Sequence, residues 1–250
     1  MIGSVMVYSG LIVAVAGIVL LVKPIGRLRA WTRSRRVVVA GAGVLLAGVG
    51  LILPAPESRV ARAQTRLDEF APAWQFREFH AMRVAAPPSR VFDAIKRVRA
   101  DEIRLFRALT WIRRGGRQLA PSILNAGGRE SLIDVATRSG FVRLADEVPR
   151  ELVIGTVIMA PPGTQGTLTP QVFQRELPPG FVLAAMNFAV VPDGPDRSFV
   201  STETRVFANS SSARRRFAAY WRIIYPGSAI IRRMWLRAIR RRATSSARDA

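Results

Sequence analysis

The chain of 250 residues sets 38 Lys and Arg against 17 Asp and Glu, for a formal net charge of +21, yet 49% of it is hydrophobic. It has no cysteine, which excludes disulfides, thiol nucleophiles and cysteine-ligated metals, and its single His80 argues against His-based metal centres and serine-type triads. Almost every cation is Arg, with Lys23 and Lys96 the exceptions, and with the abundant Ala this fits the codon usage of a GC-rich bacterial genome.

Residues 1–22 and 37–56 contain no charged side chain. A helix rises about 1.5 Å per residue, so ~20 apolar residues cross the ~30 Å hydrocarbon core of a bilayer. The pattern predicts a transmembrane hairpin over 1–56, with helices about 2–22 and 37–53 and a basic loop 23–36. A cleaved signal peptide is disfavoured, because no basic residue precedes the first apolar run. The loop carries Lys23, Arg27, Arg29, Arg33, Arg35 and Arg36 without an acid. By the positive-inside rule it stays in the cytoplasm, which places the soluble domain of this cell-membrane protein outside it. Gly41-Ala42-Gly43 resembles a dinucleotide fingerprint, but its third glycine is misplaced and it lies within a membrane helix. Gly43 and Ala47 instead have the spacing for close contact between two membrane helices.

Residues 57–75 read as a juxtamembrane linker with a short helical pattern near Val60–Phe70. Phe76 to Val84 alternates as a strand, with Phe76, Glu78, His80 and Met82 on one face. After Pro87-Pro88-Ser89, Val91, Phe92, Ile95 and Val98 recur at helical spacing. Asp101 then caps a second helix through Ile103, Phe106, Leu109 and Ile112 that ends at Gly115-Gly116. A short helix is expected over Ser131–Thr137. Strands follow over 141–145, 151–159, 181–191 and 198–207, separated by Pro161-Pro162-Gly163, Pro178-Pro179-Gly180 and Pro192-Asp193-Gly194. The last helix starts near Ser210–Ser212, shows Phe217, Trp221 and Ile224 on one face, and breaks at Pro226-Gly227 before Ile231, Trp235 and Ala238. The order predicts an α+β domain, a curved antiparallel sheet gripping a long C-terminal helix, over 76–243, with a disordered tail at 244–250.

Four stretches carry a resemblance: VAAPPSRVFDAIKRV at 84–98, SGFVRLADEVPRELVIGTV at 139–157, STETRVFA at 201–208 and RRRFAAYWRIIYPGSAIIRRMWLRAIRRRA at 214–243. Together they resemble the START-like or SRPBCC superfamily, the polyketide cyclase/dehydrase and lipid-transport group. The resemblance implies a helix-grip fold with a deep hydrophobic cavity, but not a reaction. The hairpin departs from the usual soluble member.

Val153, Val157, Leu183 and Phe199 are the expected inward apolar positions, closed over by Phe217, Trp221 and Ile224. Glu203 and Arg205 share a strand face with Ser201 and read either as a polar anchor for a ligand carboxylate or phosphate, or as an ion pair on the solvent face. His80 reads as a general base or as a satisfied strand residue. Asn209-Ser210-Ser211 matches a glycosylation sequon, with a helix cap the preferred use. Arg232, Arg233, Arg237, Arg240, Arg241 and Arg242 make the last helix basic. That face is either solvated or, through Arg232, Arg233, Arg237, Arg240 and Arg241, set against lipid headgroups. The reading is a membrane-tethered, non-enzymatic binding module for a hydrophobic or lipid-like molecule. Membrane lipids and a hydrophobic small molecule are its expected partners, with no nucleic acid, cofactor or metal. Its rivals are a cyclase or dehydratase-like enzyme using the same cavity, and a scaffold whose cavity is filled.

Overall fold

The computed structural model describes residues 2–23, 31–117 and 122–245. Arg27 and Arg29 of the basic loop and residues 246–250 of the expected tail lie outside the described residues. The chain forms two compact units, Met1–Pro56 with Arg214–Ile223, and Glu57–Ala213 with Ile224–Ala250.

The first unit is built on α1 (Ile2–Val22) and α2 (Arg33–Ile52), both long and apolar enough to cross a membrane. Small residues allow the two to touch. Gly3, Val7, Gly10, Ala14 and Gly17 form the buried stripe of α1, and Gly43, Ala47 and Gly50 that of α2. A Cβ on Gly10 would lie 2.5 Å from the Ala47 nitrogen and 2.6 Å from the Gly43 oxygen, so any larger residue would push the helices apart. Outward-facing Ile12 and Leu45 are each 70% exposed, so the hairpin's apolar surface turns away from its own contact.

α2 starts four residues earlier than expected. Thr32 caps it by accepting from the Arg35 amide, so Arg33 to Arg36 form its first turn instead of loop, and Arg36 donates to the Leu20 carbonyl at the end of α1. At the other end Arg222 donates to the Leu51 and Leu53 carbonyls (2.6 and 2.7 Å), which the end of α2 leaves without amide partners.

The second unit contains β1 (Ser58–Arg59), α3 (Arg66–Phe70), β2 (Ala73–Trp74), β3 (Phe76–Val84), α4 (Pro88–Arg97), α5 (Phe106–Arg113), α6 (Leu132–Arg138), β4 (Val142–Glu147), β5 (Glu151–Met159), β6 (Val182–Pro192), β7 (Ser198–Ala208) and most of α7 (Ser211–Ser245). Five strands form one antiparallel sheet in the order β3-β7-β6-β5-β4. Alternation along each strand gives two faces. On one, Leu152, Ile154, Met186, Phe188, Val190 and Val200 pack with α4, α6 and the Trp235–Ile239 part of α7. The Phe188 and Trp235 rings stand 4.9 Å apart. This is the α+β architecture read from the sequence, a sheet closed by one long terminal helix.

Four expectations fail here. Residues 57–75 are part of the folded domain and not a linker: Leu67 and Phe70 are buried on the sheet's other face. Asp101 caps no α-helix. Residues 100–102 make a single 3-10 turn held by Glu102 accepting the Arg99 amide, and α5 begins only at Phe106. α7 does not break at Pro226, and it runs on through Thr244 and Ser245 of the expected tail.

Candidate functional site

A cleft of about 370 Å³ opens on the face of the sheet opposite α7. Its floor is strand surface. β6 contributes Leu183 and Ala185, and β7 contributes Arg205 and Phe207, which stand beside them in register. Gly155 of β5 leaves room for Phe173, whose ring would collide with any Cβ there. The walls come from Phe70, Ala71 and Pro72 after α3 and from Phe173, Leu177 and Phe181; Arg59, Arg175 and Glu176 add charge to the lining.

Local sequence explains why these walls stand where they do. Thr65 and Asp68 form a capping box at the start of α3. Glu151 on the sheet accepts from the Arg66 and Leu67 amides, a carboxylate held at a helix N-terminus, and also from Asn187 Nδ2 at 2.6 Å. Asn209 fixes the opposite wall. Its Oδ1 accepts from the Gly180 and Phe181 amides, and its Nδ2 donates to the Leu177 and Pro178 carbonyls. Asn209 therefore caps no helix, and Ser210 takes that role through the Ala213 amide.

Arg205 sits in this floor but is not open to a ligand anion. It donates to Glu203 and Asp68 at 2.7 Å each and to the Ala71 carbonyl, and its guanidinium stacks 4.3 Å from the Trp74 ring centre. Arg77 pairs with the other side of Glu203, giving two cations on two carboxylates. Burial pushes the Glu203 and Asp68 carboxyls up. Hydrogen bonds from Arg77 and Arg205 on Glu203, and from the Gln64 and Thr65 amides and Arg205 on Asp68, outweigh it and hold both below the usual carboxylate range. The Glu203–Arg205 ion pair thus exists, but buried within the cleft wall and not on a solvent face.

Of the nine expected ligand residues, only Leu183 and Arg205 line the cleft. Val153 and Val157 belong to the apolar cluster around it, and Glu203 holds Arg205. Phe199 lies at the far end of the sheet under Arg83. All six strand positions lie on the sheet face opposite the one packed by the Trp235–Ile239 part of α7, so that part of the helix does not close over them. Phe217 and Trp221 belong to Arg214–Ile223, grouped with the hairpin, and Ile224 is on α7. Phe70, Phe173, Leu177, Phe181 and Phe207 were missed. For Phe70, Phe173 and Phe181 the signal was an aromatic within three residues of Pro72, Pro170 and Gly180; Leu177 and Phe207 carried no such mark.

The α7 side carries a second polar group. Glu78, 2% exposed, accepts from Ser228 Oγ at 2.7 Å and is 2.9 Å from His80 Nε2. His80 is thus a satisfied strand residue. Arg232 lies 5.7 Å from the centre of the Trp235 ring and within the electrostatic reach of Glu78. Burial pushes its guanidinium down to about 10, opposed by Glu78 and reinforced by Arg113. Arg241 and Arg242 both engage Glu102, one its carbonyl and the other its carboxylate. Arg233, Arg237 and Arg240 remain exposed. Among the described residues no three His, Asp or Glu side chains cluster as a metal site.

No family model matches the sequence, and no curated protein matches it. Among solved structures, the chain is similar to a protein from Nitrosospira multiformis at 14% identity and TM-score 0.31, over 69% of this chain and 99% of that one. It is similar to the ZhuI aromatase/cyclase from Streptomyces sp. R1128 at 10% identity and TM-score 0.27, over 68% and 97%. A third is the di-domain aromatase/cyclase BexL of the BE-7585A biosynthetic pathway, at 12% identity and TM-score 0.29, over 84% and 57%.

Proposed function

We propose that this protein is a membrane-tethered binding module that holds a hydrophobic or lipid-like molecule in the cleft between α3, residues 173–181 and the outer face of the sheet, without transforming it. The observation that carries the reading is the cleft itself. Its 370 Å³ falls in the range of ordinary ligand pockets, about 300–1,000 Å³, and its lining is dominated by Phe70, Phe173, Leu177, Phe181, Leu183 and Phe207. Burying six to eight methylenes would contribute about 5–6 kcal/mol before ordering costs. Arg59 and Arg175 outnumber Glu176 in the lining, which favours an acidic end on the ligand over a basic one. The polar floor groups Arg205 and Asn209 already have protein partners, which supports binding over the cyclase-like alternative, since general acid–base chemistry asks for uncommitted groups aimed at the substrate. A cleft open to the surface also weighs against the filled scaffold.

The tether is the α1–α2 hairpin. Its outward Ile, Leu and Val side chains would expose a continuous apolar surface in water, and a bilayer relieves that cost. In this reading the basic segment before α2 stays in the cytoplasm and the folded domain lies across the membrane from it.

The test uses the full chain in lipid nanodiscs with a diazirine-bearing dodecanoate. Photocrosslinks should map to the peptides containing Phe173, Leu177 and Phe207, saturate with probe and be competed by unlabelled dodecanoate. Leu183→Asp, which places an unpaired charge in the cleft floor, should abolish them. Crosslinks confined to α1 and α2, or cleft crosslinks that ignore Leu183→Asp, would overturn the assignment.

A further inference from the structure

Arg222 is a buried cation, 5% exposed, at one end of the hairpin. The contacts of α1 and α2 run antiparallel: a Cβ on Gly3 would meet Gly50, one on Gly10 would meet Gly43 and Ala47, and one on Gly17 would meet Ala40. Gly3 and Gly50 therefore mark the end away from the basic segment before α2. There the Arg222 guanidinium donates to the Leu51 and Leu53 carbonyls, and the Tyr8 hydroxyl donates to the Arg222 carbonyl. Tyr8 lies six residues beyond Ile2, about 9 Å along the apolar run of α1. At Arg222, then, α7 stands beside the membrane helices and not beyond their ends, and residues 214–223 belong to the same compact unit as the hairpin.

The surface around this point is apolar and open. Ile223 follows Arg222 and is 76% exposed, Ile52 follows Leu51 and is 78% exposed, and Ile2 precedes Gly3 and is 75% exposed. Exposed isoleucines on three helices thus flank the contacts of one residue. Tyr220 is also exposed, while Phe217 and Trp221 are buried with their rings 5.9 Å apart. Tyr and Trp gather where a bilayer meets water, because each ring joins an apolar body to a polar edge. Tyr8, Tyr220 and Trp221 collect at this end of the hairpin.

The same face of α7 changes character within two turns. Arg216, Tyr220 and Ile223 follow one another at helical spacing, and Arg215 and Arg216 are both exposed. Cation, amphipathic ring and aliphatic side chain repeat the order of a bilayer's layers: headgroup phosphate, interface and acyl chain. No Asp or Glu occurs in residues 1–56 or 214–223. A second copy packed here through the same surface would set arginine against arginine, whereas a phosphate supplies the missing charge.

We propose that residues 214–223 form a third membrane-contacting element. Tyr220 and Ile223 continue the hairpin's apolar surface into the lipid interface, and Arg215 and Arg216 bind the phosphates of anionic phospholipids. The inference rests on the hairpin spanning the bilayer, and adds to it a preference for one class of lipid.

The native chain has no cysteine and Ile223 is exposed, so Ile223→Cys accepts a single bimane fluorophore without disturbing packing. The full chain is placed in nanodiscs of phosphatidylcholine and phosphatidylglycerol in equal parts, with quenching bromines on the acyl chains of one lipid or the other. A label on Leu45→Cys, in the exposed face of α2, is the lipid-facing reference. The Ile223 label should be quenched, and more strongly when phosphatidylglycerol carries the bromine. A basic residue at an anionic membrane surface contributes roughly fivefold, so the preference should be about fivefold for each arginine engaged. Arg215→Gln with Arg216→Gln, both at exposed positions, should cut that preference at least fivefold and leave the total quenching in place. An Ile223 label that neither lipid quenches, beside a quenched Leu45 label, would overturn the inference and leave the tether standing. Two unquenched labels would remove the tether with it. An Ile223 label quenched only when each nanodisc holds one chain would assign the face to a second copy. Quenching without a phosphatidylglycerol preference, or with one that survives the double substitution, would refute the arginine–phosphate contact.

Discussion

Arg205→Met separates two uses of the most charged part of the cleft. If Arg205 anchored a ligand anion, the substitution would cost affinity and leave stability alone. The structure says the reverse, because its guanidinium is already divided between Asp68, Glu203 and a backbone carbonyl. Arg205, Glu203 and Asp68 side chains are only 7%, 10% and 6% exposed, so solvent screening is slight. Removing one partner of a buried pair costs about 3–5 kcal/mol, and since Glu203 retains Arg77, the lower end, about 3 kcal/mol, applies. At roughly 2–4 °C per kcal/mol for a chain of this size, the melting temperature of the full chain in micelles should fall by roughly 6–12 °C.

The pH dependence adds an independent check. Both carboxyls are held below their usual range, so their stabilisation is complete above the unfolded values near pH 4 and is lost as pH falls through the folded ones. The gap between wild type and variant should therefore be widest near neutrality and should narrow in acid. Melts followed by circular dichroism from pH 7 down to pH 3 provide both readings. A variant that melts within ~2 °C of wild type at pH 7 but loses dodecanoate crosslinking would refute the structural assignment and restore Arg205 as an anchor.

Two further outcomes concern the hairpin. Gly43→Leu should force α1 and α2 apart, because even a Cβ there would sit 2.7 Å from the Ala14 Cα, while Gly41→Leu, facing open space, should not; spin labels at Ile12 and Leu45 in this cysteine-free chain report the separation. For sidedness, an impermeant thiol reagent on intact cells should label a cysteine at Ser245 and spare one at Ser34, and the opposite pattern would reverse the orientation while leaving the two-helix tether intact.

The strands were legible because alternation and Pro- or Gly-bearing turns are local signals: the reading of Phe76–Val84 and Glu151–Met159 needs nothing beyond nine residues each. Which face α7 covers was not legible, and the reason lies in β6. Its residues Val182, Ala184, Met186 and Phe188 face one way and Leu183 and Ala185 the other, and both sets are apolar because both faces of the sheet are covered. Alternation divides such a strand into two faces without ranking them. The Glu203–Arg205 pair could be read from its spacing, but Asp68, the third member, is 137 residues away in sequence and only the fold brings it in. The box that starts α3 was a local signal: Thr65-x-x-Asp68 is a helix start that the surrounding Pro and Arg residues obscured.

Pro226 shows a local rule overridden by a distant side chain. Proline has no amide hydrogen, so within a helix it deprives the carbonyl four residues earlier of its donor, here that of Arg222. That loss, with the ring's clash against the preceding turn, is what predicts a break after residue 225. In the folded chain the Arg222 carbonyl is not deprived: the Tyr8 hydroxyl of α1 donates to it at 2.6 Å. The same residue turns its guanidinium to the Leu51 and Leu53 carbonyls that the end of α2 leaves open. Gly3 of α1 keeps the approach clear, since a Cβ there would fall 2.5 Å from Arg222 Nη2. One residue of α7 thus exchanges hydrogen bonds with α1 and the end of α2, and the proline is what frees its carbonyl to do so. The proline that marks a break in the isolated pattern thus leaves, four residues earlier, a carbonyl that the Tyr8 hydroxyl takes up.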